Sequence, residues 1–274
     1  MADVTGPLRG VSAGANGALY KQQPVFCITS DVDWASEDAI RIQQAILDRY
    51  EVHATYFLTH QSAVLSDLLE KERIDVGIHP NFLPGSSHGR SFDEIIDCVI
   101  GLAPNARCFR SHRYFDVTDV THRLVERGLL YDSNVCTNLQ SGIGPMKHES
   151  GLIRFPTFYE DGTQMCTRQG WDFASFSEVF RSPGLKVIGI HPMVTAMNVT
   201  TPEYWADLKR RFPPDRWIRM TAADVARERC PGIGPATFLE RLLAMIKDDD
   251  LTLITLEEVY AQFGQVEQTA QVVA

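Results

Sequence analysis

Seven short apolar runs mark out the chain, and each stops at a polar cluster. PVFCITSDVDW ends at Asp31 and Asp33, VHATYFLTH at His60, IDVGIHP at His79 and ARCFRSHR at Arg110. LIRFPTFYED ends at Glu160 and Asp161, LKVIGIHP at His191 and LTLITLEE at Glu257. Their length and their Val, Ile, Phe and Thr content predict buried strands. Helical patterns lie between them. SEDAIRIQQAILDRY opens on a Ser cap and spaces Ala39, Ile42, Ile46 and Tyr50 along one face. SFDEIIDCVIGL carries the capping-box pair Ser91 and Glu94, TDVTHRLVERG stops at Gly128, and PATFLERLLAMIK starts with a first-turn proline.

Alternating strands and helices predict a parallel sheet covered by helices, and about seven such units point to an α/β fold, an irregular (β/α)7-type barrel. In barrels of this kind the site gathers at the C-terminal ends of the strands, which is where these runs place their ionisable residues. Strands also end in polar residues simply because loops begin there, but seven runs with their Asp, His and Arg at the same end weaken that reading. We expect one barrel domain over residues 23–264, with tails at 1–22 and 265–274. The stretch 193–234 exceeds what a barrel loop needs. It contains the helical patterns PEYWADLKRR and TAADVARER, and it reads as a lid insertion or an oligomer contact.

With 274 residues, 44% of them hydrophobic, the chain can bury a large core. Its 35 acidic against 26 basic residues, a net charge of -9, argue against nucleic-acid and anionic-membrane partners, because phosphate surfaces need clustered Lys and Arg. A neutral or small substrate fits better. No apolar run reaches membrane-spanning length and the first residues do not resemble a signal peptide, so the expectation is a soluble cytoplasmic protein. The six cysteines form no C-x-x-C pair, and neither a zinc knuckle nor a disulfide framework is indicated.

The run ends carry the chemistry of a hydrolytic metal site. Asp31 and Asp33 alternate, and on a regular strand they share a face. The stretch GIHPNFLPGSSHG has a histidine near each end, His79 and His88, with two prolines between them that forbid a helix. One carboxylate and two imidazoles make a three-donor set that leaves a coordination position open for water, as catalytic zinc sites do.

The order of these motifs resembles that of the polysaccharide deacetylase superfamily, the nodulation-deacetylase homology group, from about Pro24 to Tyr260. TSDVD is similar to its first motif, GIHPNF to its second, FRSHRYF to its third, FPTFYED to its fourth and VIGIHP to its fifth. The resemblance implies Asp31 as general base and Asp33 as carboxylate ligand of a divalent metal, most often Zn2+. It implies His79 as the first imidazole ligand and Arg110 as the residue holding the base, with Asp161 as Arg110's partner. His191 would be the acid that protonates the leaving amine.

The chain departs from that pattern at Leu83, where the family has a second histidine four residues after the first. A turn back of the loop would let His88 supply the missing imidazole. Asn81 as an oxygen ligand and a site short of one ligand are the other readings. Arg113 is an alternative to Arg110. Trp34, His112, Arg113 and Glu160 are candidates for substrate contact, with His112 having even odds of facing the cleft.

The expected function is metal-dependent hydrolysis of an N-acyl group, acetyl or formyl, on an amino sugar or sugar-containing metabolite, with a small carbohydrate or glycoside as substrate. A non-catalytic carbohydrate-binding relative and a hydrolase of other C–N bonds, such as cyclic imides or ureides, are the alternatives.

Overall fold

Every residue of the first strand, β1 (Pro24–Asp31), is buried, as in a strand with helices on one face and a packed barrel interior on the other. Alternation sorts its side chains. Val25 and Cys27 point inward among Phe57, Cys108, Phe155 and Val187, while Phe26 and Ile28 join the larger core under the helices. Ser30, also outward, donates to Gln43 of the helix Glu37–Arg49 at 2.7 Å. Thr29 and Asp31 therefore continue the inner row.

The computed structural model describes residues 19–263, so residues 1–18 and 264–274, with the expected tail at 265–274, lie outside the described residues. The remaining strands are β2 (Thr55–Leu58), β3 (Asp75–Ile78), β4 (Cys108–Phe109), β5 (Tyr131–Asp132), β6 (Met146–Lys147), β7 (Ile153–Arg154), β8 (Thr157–Glu160), β9 (Gly184–Ile190) and β10 (Thr252–Leu253). They form one curled sheet in the order β6-β7-β5-β4-β3-β2-β1-β9-β8, with β10 pairing the first half of β1. Every pairing is parallel except β6 with β7. The stretch after β5 bonds to β8, through Thr157 N–H to the Val135 carbonyl and Thr137 N–H to the Thr157 carbonyl. This curl is the irregular (β/α)7-type barrel that the alternating pattern predicts.

Local details follow the sequence closely in places. Ser36 caps Glu37–Arg49, Ser91 and Glu94 form a capping box on Phe92–Leu102, and Gly128 leaves the helix Thr118–Glu126 with φ 91°. The predicted run LIRFPTFYED is two strands rather than one, β7 and β8, parted at Pro156, which has no N–H for a ladder. Glu37–Arg49 buries Ala39 and Ile46 as expected, but also Ile40, Gln43 and Leu47, while Ile42 and Tyr50 are only partly covered, so its inner face is wider than the expected one and turned part-way from it. Leu19 and Tyr20, in the 3-10 turn Leu19–Lys21, pack on the inner cluster, so packed structure begins ahead of the expected boundary at residue 23. Residues 193–234 form four helices, and Pro192–Met197 lies against Glu37–Arg49. Among the described residues no helix is long and apolar enough to cross a membrane.

Candidate active site

Two glycines clear the inside of the barrel mouth. A Cβ on Gly77 would lie 2.6 Å from the Phe57 ring and 2.8 Å from the Cys108 sulfur, so Gly77 faces inward, and His79, two residues on, faces the same way. A Cβ on Gly189 would meet Glu160 at 3.2 Å and the Arg110 guanidinium at 3.4 Å. His191 follows Gly189 by the same two-residue step.

Arg110 fills the space so made and is fully buried. It donates to Asp31 Oδ1 at 2.8 Å, Thr29 Oγ1 at 2.9 Å, and the Ser133 carbonyl and hydroxyl at 2.8 Å each, and lies over the Phe57 ring at 4.7 Å. A buried guanidinium survives only with such partners. Burial opposes its charge, but the Asp31 carboxylate overrides this and raises its pKa.

Asp33 does not share a face with Asp31. The strand ends at Asp31, and the backbone turns left-handed through Asp33 (φ 46°) and Trp34 (φ 54°), swinging the second carboxylate toward the loops after β3 and β4. There Asp33 Oδ1 lies 2.9 Å from His112 Nδ1 and 3.1 Å from His79 Nε2. Burial works against the ionised carboxyl, but the His112 and His79 rings outweigh it and hold its pKa well below the usual range. Asp33, His79 and His112 offer donor atoms that all lie within 4.8 Å of one another, a geometry that could hold a metal ion. His79 is 1% exposed; its Nδ1 has no hydrogen-bond partner, and its Nε2 has only the Asp33 carboxylate, 3.1 Å away and out of line for a hydrogen bond. Orphaned buried nitrogens are costly, and a cation between His79 Nε2 and Asp33 would satisfy one of them. The residues fit a metal.

His191 faces this cluster from the end of β9. Asp161 accepts from its backbone N–H at 2.9 Å and lies 2.5 Å from its Nδ1, which leaves Nε2 3.9 Å from Asp31 and 3.7 Å from Asp33. Burial disfavours the charged ring, yet Asp161 prevails and raises its pKa well above that of free histidine. Glu160, 3.5 Å from His191 Nδ1, caps the helix Asp161–Thr167 and has a pKa raised by burial. A cleft of about 280 Å³ opens over the group, lined by Asp31, Asp33, His79, His112, Glu160 and His191, with Arg113, Tyr114, Gly162, Thr163 and Cys166 beside them.

His88 is not in this cluster, against the expectation that it supplies the third imidazole. The loop does turn back and His88 is buried, but its Nδ1 accepts from Asn81 N–H at 3.2 Å and its Nε2 meets the Thr59 carbonyl at 2.8 Å. Both nitrogens are taken by backbone, and burial lowers its pKa. Asn81 Oδ1 likewise accepts from Leu83 N–H. The ring beside Asp33 is that of His112.

The family model for WbmS-like polysaccharide deacetylases matches residues 28–209. The chain belongs to this polysaccharide deacetylase family. A solved Bordetella bronchiseptica structure, assigned as a polysaccharide deacetylase involved in O-antigen biosynthesis, is 29% identical to it, with TM-score 0.69, covering 80% of this chain and 89% of that one. A Mycobacterium smegmatis structure assigned as a polysaccharide deacetylase is 15% identical with TM-score 0.52, covering 89% of this chain and 91% of the other. A Thermococcus litoralis 4-alpha-glucanotransferase is 10% identical with TM-score 0.51, covering 87% of this chain and 38% of the other. The last two show the fold alone. No curated protein matches the chain.

In this deacetylase fold the structure gathers Asp31, Asp33, His79, Arg110, Glu160, Asp161 and His191 at one mouth. Asp161 serves His191 rather than Arg110, since it opens the helix after β8 and β8 lies beside β9. Arg113 lines the cleft while Arg110 is sunk beneath it. Trp34 packs between His88 and His112. Sequence reasoning missed Ser133 and Tyr114. Ser133 follows a two-residue strand with no apolar run to mark it. Tyr114 stands in the quoted motif, where its left-handed backbone (φ 55°) cannot be foreseen.

Proposed function

We propose that this protein is a metal-dependent hydrolase that removes an N-acyl group, acetyl or formyl, from an amino sugar or sugar-containing metabolite. Asp33, His79 and His112 would hold the cation, and two imidazoles with one carboxylate suit zinc. The observation that carries the reading is the convergence of Asp33, His79 and His112, whose donor atoms lie within 4.8 Å of one another around a buried His79 with no aligned hydrogen bond. When bound, the cation supplies Lewis-acid polarisation and makes water more acidic.

The rest of the chemistry belongs to the chain. Asp31, fixed by Arg110, is placed to accept a proton from the attacking water. His191 keeps Nδ1 on Asp161, so its Nε2 is the nitrogen turned to the cleft and can deliver a proton to the departing amine. Without that proton an amine leaves poorly, so base and acid are both needed.

Metal analysis of the purified protein, paired with acetate release from N-acetylated sugars, tests the reading. About one zinc per chain, with activity lost to a chelator and restored by zinc, is expected. A protein that neither retains nor takes up zinc would sink it.

A further inference from the structure

The turn that carries His112 is one the chain would not adopt unaided. It runs left-handed at Arg113 and Tyr114, with φ 56° and 55°, a region that residues other than glycine seldom enter. Residues held there persist only where their surroundings fix them. The turn also has to be held closely, because it sets His112 Nδ1 2.9 Å from Asp33 and within reach of the same cation as His79.

One side chain spans it. Asn134 Oδ1 accepts from the Ser111 N–H at 2.9 Å, and Asn134 Nδ2 donates to the Phe115 carbonyl at 3.1 Å. A single amide thus ties together the residues on either side of His112, Arg113 and Tyr114. Asn134 is 3% exposed, and an amide buried so deeply is costly to leave unpaired, so the turn and the clamp hold each other. The bridge needs a donor and an acceptor side by side. Asp lacks the donor, and Leu, of similar shape, lacks both.

The clamp is itself anchored to the sheet. Ser133 N–H donates to the Phe109 carbonyl at 3.1 Å, and Asn134 N–H donates to Asp132 Oδ1 at 3.3 Å. Ser133 receives Arg110, and Arg110 holds Asp31. Two consecutive residues after β5 therefore reach both halves of the site, Ser133 through Arg110 to the base and Asn134 through the turn to the imidazole donor. The His112 N–H has a further tie, to the Pro80 carbonyl at 2.9 Å, which fixes one point of the turn but not its span.

We propose that Asn134 is a positioning residue for the metal centre, its amide setting the span of the turn 111–115 and so aiming the His112 ring at the cation. This rests on the reading of Asp33, His79 and His112 as metal donors. It adds the residue that lets a turn after β4 supply the imidazole that the family pattern places at Leu83.

The test compares zinc affinity, by competition with a chromophoric chelator, in full-length wild type, Asn134→Leu, Asn134→Ala and Leu242→Ala. Leu242 is fully buried in the helix Pro235–Asp248, which contributes nothing to the cleft lining, so its truncation weakens the fold without touching the turn. Asn134→Leu should weaken zinc binding by about 10–100-fold, the range for groups that orient a metal ligand, and should alter the cobalt(II) absorption spectrum as the imidazole leaves its place. Asn134→Ala should do the same, and it carries the test if the Leu variant does not fold. Leu242→Ala should unfold at lower urea yet bind zinc within about twofold of wild type. Zinc affinity and cobalt spectrum unchanged in the Asn134 variants, or an equal loss of zinc in Leu242→Ala, overturns the inference and leaves the metal reading standing. A wild-type protein that binds no zinc overturns both.

Discussion

The His88 ring stacks on Trp34, with centroids 5.5 Å apart and planes 30° from parallel. Trp34 in turn sits edge to face with His112 at 5.4 Å, and its backbone N–H donates to Thr59 Oγ1, on the residue whose carbonyl meets His88. His88 thus acts on the Asp33 cluster through an indole and two loops. The loop after β3 turns back as its prolines and glycines allow, but it delivers a buttress where the family pattern suggests a donor.

Substitutions separate these roles. His112→Ala, like His79→Ala, should lose most of the zinc on dialysis. His88→Ala should keep it near stoichiometric while lowering stability by about 1–3 kcal/mol, the cost of leaving buried polar groups unpaired. Metal content by elemental analysis and urea unfolding read the two effects. If His88→Ala empties the site as fully as His112→Ala, the donor assignment is wrong.

Asp31→Asn should retain metal, because Asp31 is bonded to Arg110 and not to the histidine pair. Turnover should fall by about 10²–10⁴, the range for removing a general base. A variant that instead loses its metal would mean that Asp31 and Asp33 have been given each other's roles.

How much of this was legible depends on the length of the signal. β1 and β9 are long apolar runs, and their alternation fixes which side chains face the mouth, so Asp31 and His191 were readable. The two-residue strands β5 and β6 have no run at all, and Ser133 was invisible with them. The choice between His88 and His112 was not local. It depends on left-handed turns at Asp33, Trp34, Arg113 and Tyr114, a conformation uncommon for the last three residue types. Asp161 was read as a site residue, but its partner is set by β8 lying against β9. Pair contacts between distant segments of this kind leave no trace in periodicity.

His191→Ala should leave the metal in place and should slow hydrolysis of an N-acetyl sugar more than that of an activated ester whose leaving group needs no proton. Asp161→Asn should show the same bias more weakly, because Asp161 fixes the ring through Nδ1 and does not itself face the leaving group. The comparison is kcat/KM on the two substrates. Equal losses on amide and ester would remove His191 from the acid role.

The last prediction concerns stability away from the cleft. Asp132 is fully buried. One of its oxygens lacks a hydrogen bond although Arg154 Nε is 3.3 Å away, and burial raises its pKa to about 7 despite Arg154. An unfolded aspartate titrates near about 4, so between these values the folded chain holds a proton that the unfolded chain has released. Its contribution to stability is therefore greatest below about pH 4 and declines as pH rises toward 7, by roughly 1.4 kcal/mol per unit at most. Asp132→Asn, which cannot ionise, should lack this decline. Urea unfolding of both proteins at several pH values between about 4.5 and 7.5 isolates the difference from all other groups. The stability of wild type relative to Asp132→Asn should fall across that window. A difference that stays flat, or that grows with pH, would show that Arg154 keeps Asp132 ionised in the fold.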